Sequence, residues 1–439
     1  MFSDVATWQA GLSIAILAVA VVACWRDDNR LAWCFGFLLP IDFVTGVPTA
    51  VFDVARYAGV VWLIYRVKPD LSPSATSKVF RLAAAIASVA IVRGLFAIPR
   101  SDRNSMIFAG VMLVSTACAA LLAQRTRVHA SVAFGFLSGL FLSAMASILQ
   151  ALHMPALRAG NRSGHRYPGL STYTMLLTWQ LAFGIVLCLF LIAASPHGSR
   201  RRTFGWVLMP VFILAMMTNG AQGGLAGLVA GIVALAWAKR SALSWSSARR
   251  YIAWGVGGVA GLIAVILLTG IDIPTIDGLT GEGGYGNENA RWTVAVQGVH
   301  EMRLHPFLGV GRTNFMDRYG IAPHFLPIDS GVTAGILGFA VAAYLLWVVV
   351  KILIDGPADD RPVTTLGFVM IAVMFSNTIT ESYGPFIGLS RVTVLFLALA
   401  AVSGGESPDP GEPVPARRVA RSRDPDEPNS LLLEPRSEP

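Results

Sequence analysis

The chain has 439 residues, is 54% hydrophobic and only 14% charged, and carries a formal net charge of +8. An average soluble domain is about 25% charged, so this composition excludes an ordinary soluble globular class. The positive balance makes no case for nucleic acid, because it follows from basic loops between apolar runs that are each long enough to cross a bilayer.

Met1 to Cys24 lacks a basic leader and reads as a first membrane span, not a cleaved signal. Apolar segments lie near 5–25, 31–50, 53–66, 79–98, 106–123, 130–151, 170–194, 204–218, 222–238 and 251–271. Three more follow near 331–354, 363–380 and 386–403. The 31–66 region is interrupted by Pro40, Asp42, Gly46, Pro48 and Asp53, which break a helical pattern. Residues 272–330 form a long polar loop. Within it Trp292, Ala295, Val299 and Met302 recur at helical spacing. They predict an amphipathic helix over 289–305 that lies on the membrane surface or caps the bundle. His305-Pro306 ends it, because proline disfavours helical geometry in the residue before it. Gly309 and Gly311 then allow a tight turn that presents Arg312 and Asn314. From Gly404 the chain is rich in Pro, Glu, Asp, Arg and Ser and has no apolar face to bury.

The predicted fold is an all-α polytopic transmembrane bundle of about 12–14 spans. It occupies residues 1–403, with the external loop 272–330 carrying the surface helix and a disordered cytoplasmic tail over 404–439. Basic loops set the orientation. WRDDNR, the 66–81 stretch, QRTR, GSRRR, the 239–250 stretch and the tail share one side with Lys68, Lys78, Lys239 and Lys351. That side is cytoplasmic, which puts the N-terminus outside and the C-terminus inside. Loops 99–105, 152–169, 272–330 and 381–385 face the other way, and their basic residues, apart from histidines, are all arginine. Arg56 and Arg93 fall near outer span ends, where they could snorkel. Cys24, Cys34, Cys118 and Cys188 show no metal-like spacing and read as small packing residues.

Chemistry concentrates in two external loops. The larger holds Arg291, Arg303, Arg312, Arg318, His300, His305 and His324. The smaller, at 152–169, holds Arg158, Arg162, His165 and Arg166 ahead of a span starting near Leu170. Positive groups at a helix start oppose its dipole, a cost that an anion bound between them removes. The loop acids Asp272, Asp277, Glu282 and Glu288 are scattered, and no zinc spacing is present.

One ordered set of short motifs stands out. Arg291-Trp292 opens the surface helix, followed by Pro306, Gly309-Val310-Gly311 and Asn314-Phe315. His324 lies 11 residues before Gly335-Ile336-Leu337-Gly338, which opens the next span. This order resembles the O-antigen ligase/polymerase superfamily, bacterial membrane proteins that join glycans carried on polyprenyl diphosphate. The likeness is tight over about 50 residues and looser elsewhere. It departs from the family pattern at Phe325, where Asn or Ser often follows the histidine. It departs again in TNGAQGG, where Gln222 stands in place of an arginine.

The resemblance implies a multi-pass enzyme of the bacterial plasma membrane. It would transfer a glycan from a polyprenyl-diphosphate donor to a hydroxyl of a glycan or lipid acceptor on the outer face. His324 and Arg291 are then the expected catalytic residues, and Arg312, Arg166, Arg162 and Asn314 the expected diphosphate ligands. The chemistry needs neither metal nor cofactor. The expected partners are donor, acceptor, bilayer and an envelope-biosynthesis complex, without nucleic acid. Three other readings stay open. One is a transporter of lipid-linked or anionic solutes, and one a polyprenyl-phosphate-dependent glycosyltransferase using Asp42 or Asp53. The last is a non-catalytic subunit of an envelope complex.

Overall fold

The computed structural model describes residues 27–41, 59, 61–65, 77–98, 103–122, 129–152, 167–171, 174–219, 223–238, 288–356 and 362–380. All belong to one compact unit, Met1–Gly405. The expected tail lies outside the described residues, as do the spans expected at 5–25, 251–271 and 386–403.

The described residues are helical, with no strand among them. In chain order the helices are α1 (Asp28–Leu38), α2 (Ser77–Ala97), α3 (Arg103–Leu122), α4 (His129–Ala151), α5 (Thr174–Ala194) and α6 (Arg200–Asn219). Then come α7 (Gly223–Ala238), α8 (Glu288–Leu304), α9 (Arg312–Tyr319), α10 (Leu326–Asp355) and α11 (Pro362–Thr380). Among the described residues, three stretches are long and apolar enough to cross a membrane: Ala130–Ala151, Thr174–Ile192 and Leu326–Asp355. Gly223–Ala238 and Thr365–Ser376 are apolar but shorter.

The helices pack as neighbours α1 with α4, α2 with α3 and α10, α5 with α6, α7 and α11, and α7 with α11. Small residues permit the closest approach. A Cβ on Gly36 would strike the Val132 carbonyl, and one on Gly135 the Trp33 carbonyl, so α1 and α4 touch backbone to backbone. Buried side chains of these helices, among them Phe136, Leu140, Leu177, Phe212 and Val373, form one continuous core. A second, smaller core belongs to the polar loop. There Val294 of α8, Val310, Phe315 of α9 and Val332 of α10 pack together, with Met302, Tyr319 and Ile328 against them. The loop is therefore held on the start of α10 by its own apolar cluster.

Candidate functional site

The site is built where α10 begins. Phe325 precedes the helix with extended dihedrals, Pro327 sits in its first turn, and Asp329 N–H donates to the Phe325 carbonyl at 2.9 Å. The helix then breaks. Ala334 (φ −138°, ψ 24°) and Gly335 (φ 64°, ψ −153°) are non-helical, so α10 has a short first part and a long second part. The break frees backbone groups that must find partners in an apolar setting. The stretch between α8 and α9 supplies them. Ile336 N–H donates to the Pro306 carbonyl at 2.7 Å, and Gly311 N–H donates to the Val332 carbonyl at 3.0 Å. Gly309 has φ 67°, and a Cβ there would strike the Val332 carbonyl. A Cβ on Gly335 would strike the Pro306 carbonyl. The Gly-Val-Gly turn and the Gly that opens the span are thus two sides of one contact, and no larger residue fits either side.

This contact sets Arg312 at the first position of α9, with only 8% of its surface exposed. Its Nη1 lies 3.3 Å from Asp329 Oδ2. The same oxygen accepts a 2.7 Å bond from Nη1 of Arg93, near the end of α2. Asp329 is fully buried and Arg93 is 8% exposed. Since both nitrogens reach one oxygen, at 2.7 and 3.3 Å, they lie at most 6.0 Å apart. Arg93 therefore does not snorkel from a span end, as its sequence position suggests. It turns into the protein because a carboxylate is buried there, and an ion in that setting requires a partner.

Asp329 and Glu301 carry the charge pairing of this region, and sequence reading singled out neither. An acid in the first turn of an otherwise apolar span, matched by an arginine near the end of another, was the available signal for Asp329. Glu301 is 3% exposed, in the last turn of α8. It accepts from Arg318 Nη1 at 3.0 Å and from the Tyr319 hydroxyl at 2.8 Å, tying α8 to α9. His305 Nε2 stands 3.8 Å from its other oxygen. Burial pushes the Glu301 carboxyl up, but the hydrogen bonds from Tyr319 and Arg318 and the charges of Arg318 and His305 outweigh it. The net effect lowers it below the ordinary value of 4.5. The Tyr319 phenol is raised above 10.0, first by its hydrogen bond to Glu301.

His324 is half-buried in the turn ahead of α10, five residues before Asp329. Its segment is covered by α8: the face of Gly298 meets Ile328, Pro323 and Val332. Arg291 lies in the first turns of α8, and its side chain is outside the described residues. Arg162, Arg166, Asp42, Asp53 and Gln222 are outside them as well. Asn314 lies on the exposed side of α9 and donates from Nδ2 to the Val310 carbonyl at 3.1 Å, holding the Gly-Val-Gly turn. The face of α8 differs from the expected one. Of Trp292, Ala295, Val299 and Met302, only Met302 packs against the loop core. Val294, Gly298 and Glu301 form the buried face, and Trp292 is 73% exposed.

The chain just after Arg166 is firmly seated. Tyr167–Ser171 rests on buried polar side chains of the bundle. Ser147 Oγ and Asn219 Nδ2 donate to the Tyr167 carbonyl at 2.8 and 3.1 Å. Gln150 bonds both the N–H and the carbonyl of Gly169 at 3.0 Å, and Leu170 N–H donates to Ser143 Oγ at 3.1 Å. These contacts join the ends of α4 and α6 to the start of α5, and they fix where the smaller arginine loop re-enters the protein.

No family model matches the chain, and no curated protein matches it.

Proposed function

We propose that this protein is a multi-pass enzyme of the bacterial plasma membrane that joins glycans. The donor is a glycan on polyprenyl diphosphate and the acceptor is a hydroxyl of another glycan or of a lipid, on the outer face. In this reading the chain crosses the membrane about 12–14 times, with its N-terminus outside and its C-terminus in the cytoplasm. The observation that carries it is the meeting of Arg93 and Arg312 on Asp329, at the end of the bundle where the His324 segment enters α10. Guanidiniums match phosphate oxygens with a planar fork of donors and stay protonated. Such groups, placed where charge develops and shielded from water, can each contribute about 3–4 kcal/mol to a transition state.

The acceptor oxygen attacks the anomeric carbon, and the bond from that carbon to the diphosphate oxygen breaks. Polyprenyl diphosphate leaves with the electron pair, and the hydroxyl proton passes to His324. Arg291, Arg312, Arg166, Arg162 and Asn314 bind the diphosphate. Arg93 joins this set and supplies positive charge that the bundle lacks at Gln222. An imidazole is the side chain best suited to take a proton from a hydroxyl as it attacks.

Among the described residues, the broken α10 is a feature that favours a transporter, since transporters bind solutes at interrupted helices near the membrane midplane. Ile336 to Asp355 alone gives 20 residues, or about 30 Å of helix. The second part of α10 is thus long enough for a full span by itself, which favours a break at its mouth. That position suits a surface enzyme better than a midplane carrier.

The test is glycan chain length in cells with and without the gene, complemented by His324→Ala at matched protein abundance. Loss of a polymerase leaves single repeats, and loss of a ligase leaves full chains on the lipid carrier. The His324→Ala strain should resemble the null strain, because removing a general base typically costs about 10²–10⁴ in rate. Unchanged glycans in the null strain would end the glycan-joining reading. Full activity of the variant would end the role of His324. Activity lost on adding EDTA would move the case to a metal-dependent glycosyltransferase using Asp42 or Asp53.

A further inference from the structure

We infer that α8 is docked on the bilayer itself, with Trp292, Val296 and Val299 immersed at the boundary between headgroups and acyl chains. A helix packed on a protein and otherwise bathed in water turns polar residues outward. Helix α8 turns apolar residues outward as well. Its inward face carries Val294, Gly298 and Glu301. Its outward face carries Trp292 (73% exposed), Val296 (51%) and Val299 (38%), spaced four and three residues apart on one stripe, with Thr293 and His300 exposed along its edge. Arg303 continues that stripe and is exposed. A tryptophan, two aliphatic residues and a terminal arginine form the set that favours a membrane interface, where the arginine reaches headgroup phosphates.

Helix α9, next in the chain, provides the contrast. Its exposed residues are Thr313, Asn314, Asp317 and Arg318, the pattern of a water-facing helix. The two helices share one small core yet present opposite chemistry to their surroundings.

The occupant of the α8 face is named by its continuity with α10. Phe307 and Leu308, just past α8, are 79% and 59% exposed. The 2.7 Å bond from Ile336 N–H to the Pro306 carbonyl holds Phe307 beside the first residues after the break. Those residues, Ile336, Leu337 and Phe339, are themselves exposed and apolar, and they begin the 20-residue second part of α10. The outer edge of the hydrocarbon therefore falls near Ile336, since 20 residues of helix match its thickness of about 30 Å. Phe307 and Leu308 sit at that edge, and α8 directly precedes them in the chain with its apolar stripe exposed. A single lipid boundary covers all of these surfaces. A second copy or a protein partner would have to cover both α8 and the start of a span.

Nitroxide labels at single cysteines, Val296→Cys, Phe307→Cys and Asp317→Cys, test the docking. They are placed in the full chain with its four native cysteines replaced, reconstituted in phosphatidylethanolamine/phosphatidylglycerol vesicles. Oxygen collects in lipid and a nickel chelate stays in water. Labels at 296 and 307 should collide more with oxygen than with the chelate, and the label at 317 the reverse. The inference is overturned if either of the first two collides with the chelate as readily as the label at 317. It is equally overturned if either is shielded from both, the signature of a covering protein or second copy. Neither result depends on whether the protein transfers glycans.

Discussion

Asp329 is where a single atom has the largest consequence. Its Oδ2 serves two guanidiniums from helices distant in sequence, and all three groups are buried. Removing one member of a buried ion pair typically costs about 3–5 kcal/mol, because the charge left behind has lost its partner. Asp329→Ala should therefore lower the thermal unfolding temperature in detergent strongly. Arg93→Ala should lower it less, since Arg312 still balances the carboxylate. Equal melting of all three proteins would show that the cluster does not hold α2 to α10. Glu301 offers a second test. Its carboxyl is held below 4.5 in the folded protein, so its ion pair adds stability above that value. The contribution is lost as pH falls through the lowered folded value. Glu301→Gln should melt below wild type at neutral pH, and the gap should close in the acid range. A gap that persists unchanged at low pH would rule out the charge as its source. Residue roles were the least legible part of the sequence. Arg312 stood out as a charge in a Gly-rich turn, but burial and pairing depend on what folds against it. Arg93 and Asp329 are 236 positions apart, and no local pattern joins them.

Helix positions were far more legible. The helix expected at 289–305 is α8, Glu288–Leu304, and the segments at 79–98, 130–151 and 363–380 match α2, α4 and α11 within a few residues. Length and apolar run length carry that information directly. The orientation of α8 was not readable, because the helix has apolar residues on both faces and only tertiary packing says which is covered. Helix α9 was read as part of a turn, since its eight residues are too few and too polar to show a period. Gly335 was read as opening the span, but the short helical turn before it was not, because a few residues ahead of an apolar run show no period of their own. The geometry of the break gives a prediction at this scale. Gly335 adopts a conformation that costs other residues about 1–3 kcal/mol, and the Pro306 carbonyl occupies the site of its Cβ. Gly335→Ala and Gly309→Ala should each separate the loop from the span. Limited proteolysis within 304–312 should accelerate in both variants, whereas Gly110→Ala meets no neighbouring atom and should leave it unchanged. Unchanged cleavage would contradict the interlock.

For the molecule as far as it is described, the sequence and the structure agree on helices without strands, some of them apolar and long enough to cross a membrane. The larger bundle and its orientation rest on the distribution of Lys and Arg among loops. That asymmetry predicts that a cysteine at Gly283 reacts with an impermeant maleimide added to intact cells. Reaction only after permeabilisation would turn the topology over and move both arginine loops to the cytoplasm.

The interlock at the break of α10 also bears on how such a protein can be recombined. The external segment and its span are joined through main-chain bonds, from Gly311 to Val332 and from Ile336 to Pro306, so compatibility is written in backbone shape and not in side-chain identity. A graft of the segment between α8 and α9 that puts a larger residue at Gly309 would drive its Cβ into the Val332 carbonyl. Inheritance of this region should proceed as a block from Glu288 through Gly338, with crossovers tolerated within the long second part of α10 and selected against at the break.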